Sequence, residues 1–390
     1  MIMTTLNSTN DLTRNSSTNL AEVEVLEGLL EPLPIWKNIT NLIEESGPLA
    51  ANWTNLTELQ YLENILGPQY LPLDVTVPLT VVYTTIFICG IFGNVITCVV
   101  IINNSTMQNA TNFYLFSLAV SDLILLLLGL PNELSVFWQQ YPWISGKLFC
   151  KVRAYTSETS SYVSVLTIML FSIERYLAVC KPLHFNAMSG LKRPVCFIIG
   201  AWIVASVCAL PFFIYTTINY IEYPPGSGNN SDISAICGMM KEHLPKNFPL
   251  YELSTMLFFL VPMLVIMILY AKMGMQIHES LRGTKKANVN QFNKEAQHVK
   301  SRRGIVKMLS AVVITFFICW APFHMQRLLY IYMHEVDAEY YPDMNEWLYI
   351  ISGCFYYSST AINPLLYNFM SSRYRMAYKR VLNFQRLCHW

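Results

Sequence analysis

The chain has 390 residues, of which 53% are hydrophobic and only 13% charged, against about 25% charged in an ordinary soluble domain. Mean hydropathy is +0.35. The net charge of +1 hides charge that is segregated along the chain rather than absent, so an ordinary soluble domain is excluded and no nucleic-acid partner is expected.

Residues 1–77 hold ten acidic residues against Arg14 and Lys37, with many Asn, Ser and Thr. That composition predicts a flexible, acidic tail, in which only the apolar stretch Val25–Leu30 has the makings of a helical turn. The opening MIMTTLNSTN has no basic region followed by an apolar one, so no cleavable signal is expected and the first span would direct insertion. Asn7, Asn15, Asn38, Asn52 and Asn55, and Asn229 further on, match the N-glycosylation sequon.

Seven stretches then reach the roughly 20 apolar residues that a helix needs to cross a bilayer. They run Pro78–Ile102, Asn112–Trp138, Val152–Ala178, Pro194–Thr216, Phe248–Ala271, Lys307–Tyr332 and Glu346–Met370. Buried helices of a soluble bundle would need polar outer faces, and these segments mostly lack them. The expected fold is an all-α membrane protein, a seven-transmembrane helix bundle over residues 78–370. A short amphipathic eighth helix and tail follow at 371–390, where Tyr374, Met376, Ala377, Val381 and Leu382 interleave with Arg373, Arg375, Lys379 and Arg380.

Basic residues set the orientation. Counting Arg175 and Lys307 at the span ends, 18 of the 26 Lys and Arg lie between spans three and four, between five and six, or after seven. That side is expected to be cytoplasmic, with the amino terminus outside a plasma membrane and all six sequons named above on the outside. Of the ten cysteines, only Cys150 and Cys237 then face the oxidising side, which favours a disulfide between them. Cys388, beyond the amphipathic stretch, is a palmitoylation candidate.

Ionisable groups inside spans are functional candidates by default. Asp122 lies within span two, and Asn94, Ser164, Ser359 and Asn363 are polar residues on other spans able to face it. Such a cluster could hold an allosteric sodium ion or simply a protonated carboxyl. No other cofactor is expected. Glu133 follows Asp122 by eleven residues, about 16 Å nearer the outside, and Glu158 follows Cys150 by eight, about 12 Å below the outer edge. Arg327 lies seven residues beyond Trp320. Three charges at similar depth predict a water-accessible pocket, with Trp138, Tyr155, Phe323, His324, Tyr356 and Tyr357 as aromatic company. It would suit a ligand with a cationic group and an apolar part; the alternative is an internal Glu158–Arg327 ion pair that braces the bundle. Prolines 131, 211, 262, 322 and 364 permit kinks in their spans.

Motifs now recur in order: Gly93-Asn94-Val95, Leu118-Ala119 with Asp122, Glu174-Arg175-Tyr176, Trp202, Pro262 with Tyr270, Phe316 before Cys319-Trp320-Ala321-Pro322, and Asn363-Pro364 with Tyr367. Over residues 75–385 the chain resembles rhodopsin-like G-protein-coupled receptors. The resemblance implies a ligand-driven switch: Trp320 and Phe316 shift, span six swings out, and Arg175, beside its acidic neighbour Glu174, is released toward a G protein while Tyr270 and Tyr367 rearrange. Span seven has no lysine for a retinal, and Ser157 stands where amine receptors have an aspartate.

The runs NFYLFSLAVSDL (112–123), SETSSYVSVLTI (157–168), FSIERYLAVCKPL (171–183), MSGLKR (188–193) and CALPF (208–212) are similar to neuromedin U receptors and their arthropod relatives, the CAPA (periviscerokinin) and pyrokinin receptors. That group binds amidated peptides ending in Pro-Arg-X-amide, which implies Glu133 and Glu158 as acceptors for the peptide's arginine, Arg327 for its amide carbonyl, and aromatics for its apolar residues. CAPA is favoured, with Gq coupling and calcium release. Lys300, Arg302, Arg303 and Lys307 would contact a G protein or anionic lipid. Only Ser371 and Ser372 follow Met370 as serines or threonines; either this is a short isoform or an incomplete gene model, or arrestin control relies on Ser280, Thr284 and Ser301. A transporter or channel would need inverted repeats, which are not visible. A membrane enzyme would need a nucleophile or metal spacing, also not visible.

Overall fold

The computed structural model describes residues 56–181, 192–239, 244–245, 248–284, 310–311, 313–329, 332, 341–370 and 374–380. Five helices are long and apolar enough to cross a membrane: Leu73–Asn103, Ala110–Trp138, Gly146–Cys180, Lys192–Tyr215 and Leu250–Glu279. Val313–Leu329 is a shorter apolar helix. Tyr341–Met370 runs for 30 residues, about 45 Å at 1.5 Å per residue. These are the seven spans of one helical bundle. Span four exposes Phe197, Ile199, Ile203, Val204, Val207, Leu210 and Ile214, a contiguous apolar face suited to lipid rather than water.

Spans one, three and seven each start five or six residues earlier than hydropathy alone places them, span seven at Tyr341. Span one begins at Leu73, with Asp74 in its first turn and Pro78 inside; an acid there complements the helix dipole, although it lowers the local hydropathy. Span three begins at Gly146 and is the longest element, at 35 residues. It runs through the middle of the bundle. Its buried polar row Thr159, Ser160, Ser161, Ser164 and Thr167 faces neighbouring helices, not lipid.

Small residues set the closest approaches. A Cβ on Gly93 would sit 2.8 Å from Pro364 Cβ, so this glycine lets spans one and seven meet at the proline. Span two is broken at Gly129 into Ala110–Leu128 and Leu130–Trp138, with Pro131 opening the second piece. A Cβ on Gly129 would lie 2.7 Å from the Tyr357 hydroxyl. Span five passes through a π-helical turn, Met256–Leu260, just before Pro262. The wider turn accommodates the proline's missing N–H donor.

At one end of the bundle, strands Thr217–Asn219 and Ile236–Gly238 form an antiparallel ribbon, pairing Thr217 with Gly238 and Asn219 with Ile236. The expected disulfide is present: Cys150 and Cys237 are bonded, with Cα atoms 5.7 Å apart, tying the ribbon to span three. Residues 58–66, which composition assigned to a flexible tail, are helical. Thr57 and Gln60 form a capping box at the start of Glu58–Leu66. Tyr61, Leu62 and Leu66 bury against Tyr141 and Ile221, and Ser231 donates to Glu58 Oε1 at 2.5 Å. Tyr141 donates to the Gly67 carbonyl at 2.9 Å; burial, with Glu63 nearby, pushes its phenol up to about 12, so it remains a donor at neutral pH.

At the opposite end, residues 374–380 are helical. Tyr374 and Ala377 are buried while Met376 is exposed, and Tyr374 donates to Thr97 Oγ1 at 2.7 Å, docking the segment on span one. Asn7, Asn15, Asn38, Asn52, Asn55 and Cys388, together with Lys300, Ser301, Arg302, Arg303 and Lys307, lie outside the described residues. Asn229 is exposed near the ribbon.

Candidate functional site

A cavity of about 150 Å³, partly open to solvent, lies beneath the ribbon and draws on spans two to seven. Glu133, Glu158, Arg327, Phe323, Tyr356 and Tyr357 all line it. Glu133, in the first turn of the outer piece of span two, lines the cavity with Tyr357. His324 does not line it. It is buried, stacked on Phe259 at 4.7 Å and bonded to Thr255 Oγ1 at 3.2 Å, because one residue's step rotates a helical side chain about 100° from Phe323. Trp138 and Tyr155 are also outside the lining: Trp138 is half exposed and donates to Thr80, and Tyr155 packs on Phe213.

Both acids already have cationic partners. Arg327 binds Glu158 through both oxygens, Nη1 to Oε2 at 3.1 Å and Nη2 to Oε1. Its guanidinium also lies over Phe323 at 4.5 Å, Tyr251 at 5.0 Å and Phe212 at 5.4 Å. The bracing ion pair considered from sequence therefore forms. Glu133 Oε1 receives Arg153 Nη1 at 3.4 Å, and its Oε2 accepts the Tyr349 hydroxyl. Arg153, Tyr349, Tyr251 and Phe212 were not singled out from sequence. Arg153 had a signal, lying five residues before Glu158 on the same helix; the others are brought in by spans four, five and seven. On the cavity floor Tyr356 shares hydrogen bonds with Ser161 at 2.6 Å and Ser157 at 3.3 Å, and touches Trp320 edge-on at 5.4 Å.

The model of the seven-transmembrane receptors of the rhodopsin family matches residues 93–367. The chain belongs to that family. Relatives are similar over most of their length. The pyrokinin-1 receptor of Drosophila melanogaster is 38% identical over 81% of this chain and 82% of its own. A neuromedin U receptor homologue, nmur-2, of Caenorhabditis elegans is 38% identical over 84% and 85%, and neuromedin-U receptor 2 of Mus musculus is 36% identical over 87% and 82%. The family is one of receptors and not of enzymes, and its members are multi-pass membrane proteins.

Below the cavity this receptor carries the motif residues in contact with one another. Phe316 and Trp320 stack at 4.8 Å, one turn apart and just before Pro322. Asn363 donates to Asp122 Oδ2 at 3.0 Å. The other cluster members bond elsewhere: Ser164 to Ser121 at 3.0 Å, Ser359 to the Tyr356 carbonyl at 2.7 Å, and Asn94 through Nδ2 to the Gly90 and Thr360 carbonyls. Asn94 Oδ1 is buried without a partner.

At the far end of span three the expected pairing differs. Glu174 accepts from Arg193 at 2.6 Å, not from Arg175. Consecutive residues on a helix point about 100° apart, so Glu174 turns toward span four. Arg175 lies over Phe171 at 5.6 Å, and its Nε has no hydrogen-bond partner. Tyr176 and Tyr270 pack against Val179, Met273 and Ile277. The side chain of Tyr367 lies outside the described residues.

Proposed function

We propose that this receptor binds an amidated peptide hormone whose penultimate residue is arginine, of the Pro-Arg-X-amide type, and signals through a heterotrimeric G protein of the Gq class to raise intracellular calcium. The observation that carries this reading is the cavity. Two buried carboxylates and two arginines sit within it, among Phe212, Tyr251, Phe323, Tyr356 and Tyr357. A carboxylate suits the peptide's guanidinium through charge-assisted, bidentate bonds, Arg327 suits the terminal amide carbonyl, and the rings suit its apolar side chains. The names of the fly, worm and mouse relatives support a peptide of this group.

Within the group, the run Ser161–Ile168 favours a CAPA (periviscerokinin) peptide. The resemblance to the fly pyrokinin-1 receptor favours a pyrokinin instead. The amino terminus would be outside, with the disulfide end toward the peptide and the Arg175 end toward the G protein. Arrestin and anionic lipid would meet that same inner face. We further propose that Asp122 and Asn94 hold a sodium ion in the resting receptor; the buried, unpartnered Oδ1 of Asn94 is an oxygen ligand that fits it.

Calcium release in transfected cells tests the function. CAPA, pyrokinin and neuromedin U-type peptides are compared on one line, beside Arg175→Ala at matched surface level. A response to one class that Arg175→Ala abolishes while binding persists supports the proposal. No response to any amidated peptide, or ion flux without a G protein, overturns it.

A further inference from the structure

The two acids of the cavity are not held alike. Glu158 is bound at both oxygens by Arg327, and that guanidinium has three aromatic rings within 5.4 Å. Removing Arg327 from Glu158 would break two charge-assisted bonds and three cation–π contacts together. Glu133 is bound by Arg153 through a single contact at 3.4 Å, at the long end for a charged hydrogen bond. The remainder of Arg153 is weakly engaged: its Nε has no hydrogen-bond partner, its Nη2 reaches only Cys237 Sγ at 4.0 Å, and Trp143 lies 5.9 Å away. Glu133 itself stays fixed, because Tyr349 holds its other oxygen from span seven.

We infer that Arg153 is a displaceable internal cation that occupies Glu133 until a ligand guanidinium replaces it, and that Glu158 keeps Arg327 throughout. The inference rests on the peptide reading above and assigns its arginine to one of the two acids. The exchange is isoelectric, one cation leaving as another arrives, so the cavity is never left with an uncompensated buried carboxylate. Arg153 is already beside the disulfide and Trp143, so its guanidinium can swing onto the ring without a change in the backbone. Arg153 acts here as a competitor that tunes affinity and specificity for cationic ligands, and it adds nothing to the holding of the peptide.

The test is competition binding on membranes of the full-length receptor, with an amidated peptide ending in Pro-Arg-X and its analogue carrying citrulline in place of arginine. Arg153→Ala removes the competitor and should tighten binding of the arginine peptide roughly tenfold, about 1.4 kcal/mol, with no gain for the citrulline peptide. Arg153→Lys, which keeps a competing charge, should return to wild-type affinity. Adding Glu133→Gln to Arg153→Ala should abolish the gain. If Arg153→Ala weakens the arginine peptide, or tightens both peptides equally, the competitor role is overturned while the peptide reading stands. If wild-type receptor does not distinguish arginine from citrulline, the peptide reading itself fails.

Discussion

Truncating Arg327 isolates what the ion pair contributes to the bundle. Glu158 is 5% exposed, and both of its oxygens are bound by Arg327. Arg327→Ala therefore leaves a carboxylate unpaired in a low-dielectric interior, which costs about 3–5 kcal/mol, and the loss of its aromatic contacts adds of order 1–2 kcal/mol. Replacing both partners by neutral groups of similar size, as in Glu158→Gln with Arg327→Met, removes the charge along with its partner. That double variant should lie within about 1 kcal/mol of wild type, because desolvation of the pair nearly cancels its attraction. A thiol-reactive fluorophore can report unfolding of the ligand-free, detergent-solubilised receptor through Cys319, which is 2% exposed, once the exposed Cys89 and Cys196, the partly exposed Cys98, Cys180, Cys208 and Cys354, and Cys388 are replaced by alanine. The expected order of stability is wild type close to the double variant, with Arg327→Ala well below both. A single variant as stable as wild type, or a double variant less stable than the single, would refute the reasoning.

Three further outcomes follow from other contacts. Gly129→Ala places a methyl group 2.7 Å from the Tyr357 hydroxyl and 2.8 Å from the Leu125 carbonyl; a loss of about 1–3 kcal/mol by the same thermal assay is expected, partly restored by Tyr357→Phe. Cleaving Cys150–Cys237, which closes 87 residues of sequence, should cost up to about 4–5 kcal/mol in the chain-entropy account and abolish peptide binding, as measured before and after mild reduction. Arg193→Ala frees Glu174, now bound at 2.6 Å, to turn toward Arg175. Agonist-evoked calcium should fall at matched surface level and return when Glu174→Gln is added; an unchanged response in Arg193→Ala would show that the pair does not bear on Arg175.

Much of the architecture is legible because a bilayer enforces a one-dimensional rule. A spanning segment must satisfy its backbone internally and present apolar side chains to lipid, so the spans can be counted along the sequence, and the Cys150–Cys237 bond follows from which cysteines share a compartment. The depth of the charged pocket was also readable, since rise per residue fixes how far Glu133 and Glu158 lie along their helices. Azimuth was not readable. His324 and Phe323 are neighbours in sequence, yet only Phe323 lines the cavity, and Glu174 faces Arg193 rather than the adjacent Arg175. Each outcome depends on how a helix is rotated about its axis, which packing sets and hydropathy does not encode. The helix Glu58–Leu66 was missed for a different reason: its three buried residues find their partners at Tyr141 and Ile221, far away in the chain.

The sequence by itself determined a bundle of seven spans with a charged, aromatic pocket near its disulfide. Those features are set by composition and by spacing along single helices, while the order of the motifs supplied the resemblance to a receptor family. Only the tertiary structure decided which charges meet: Arg153 with Glu133, Arg327 with Glu158 and Arg193 with Glu174. All three pairings bridge separate spans, and each depends on which way its helices face, a property of the packed bundle as a whole.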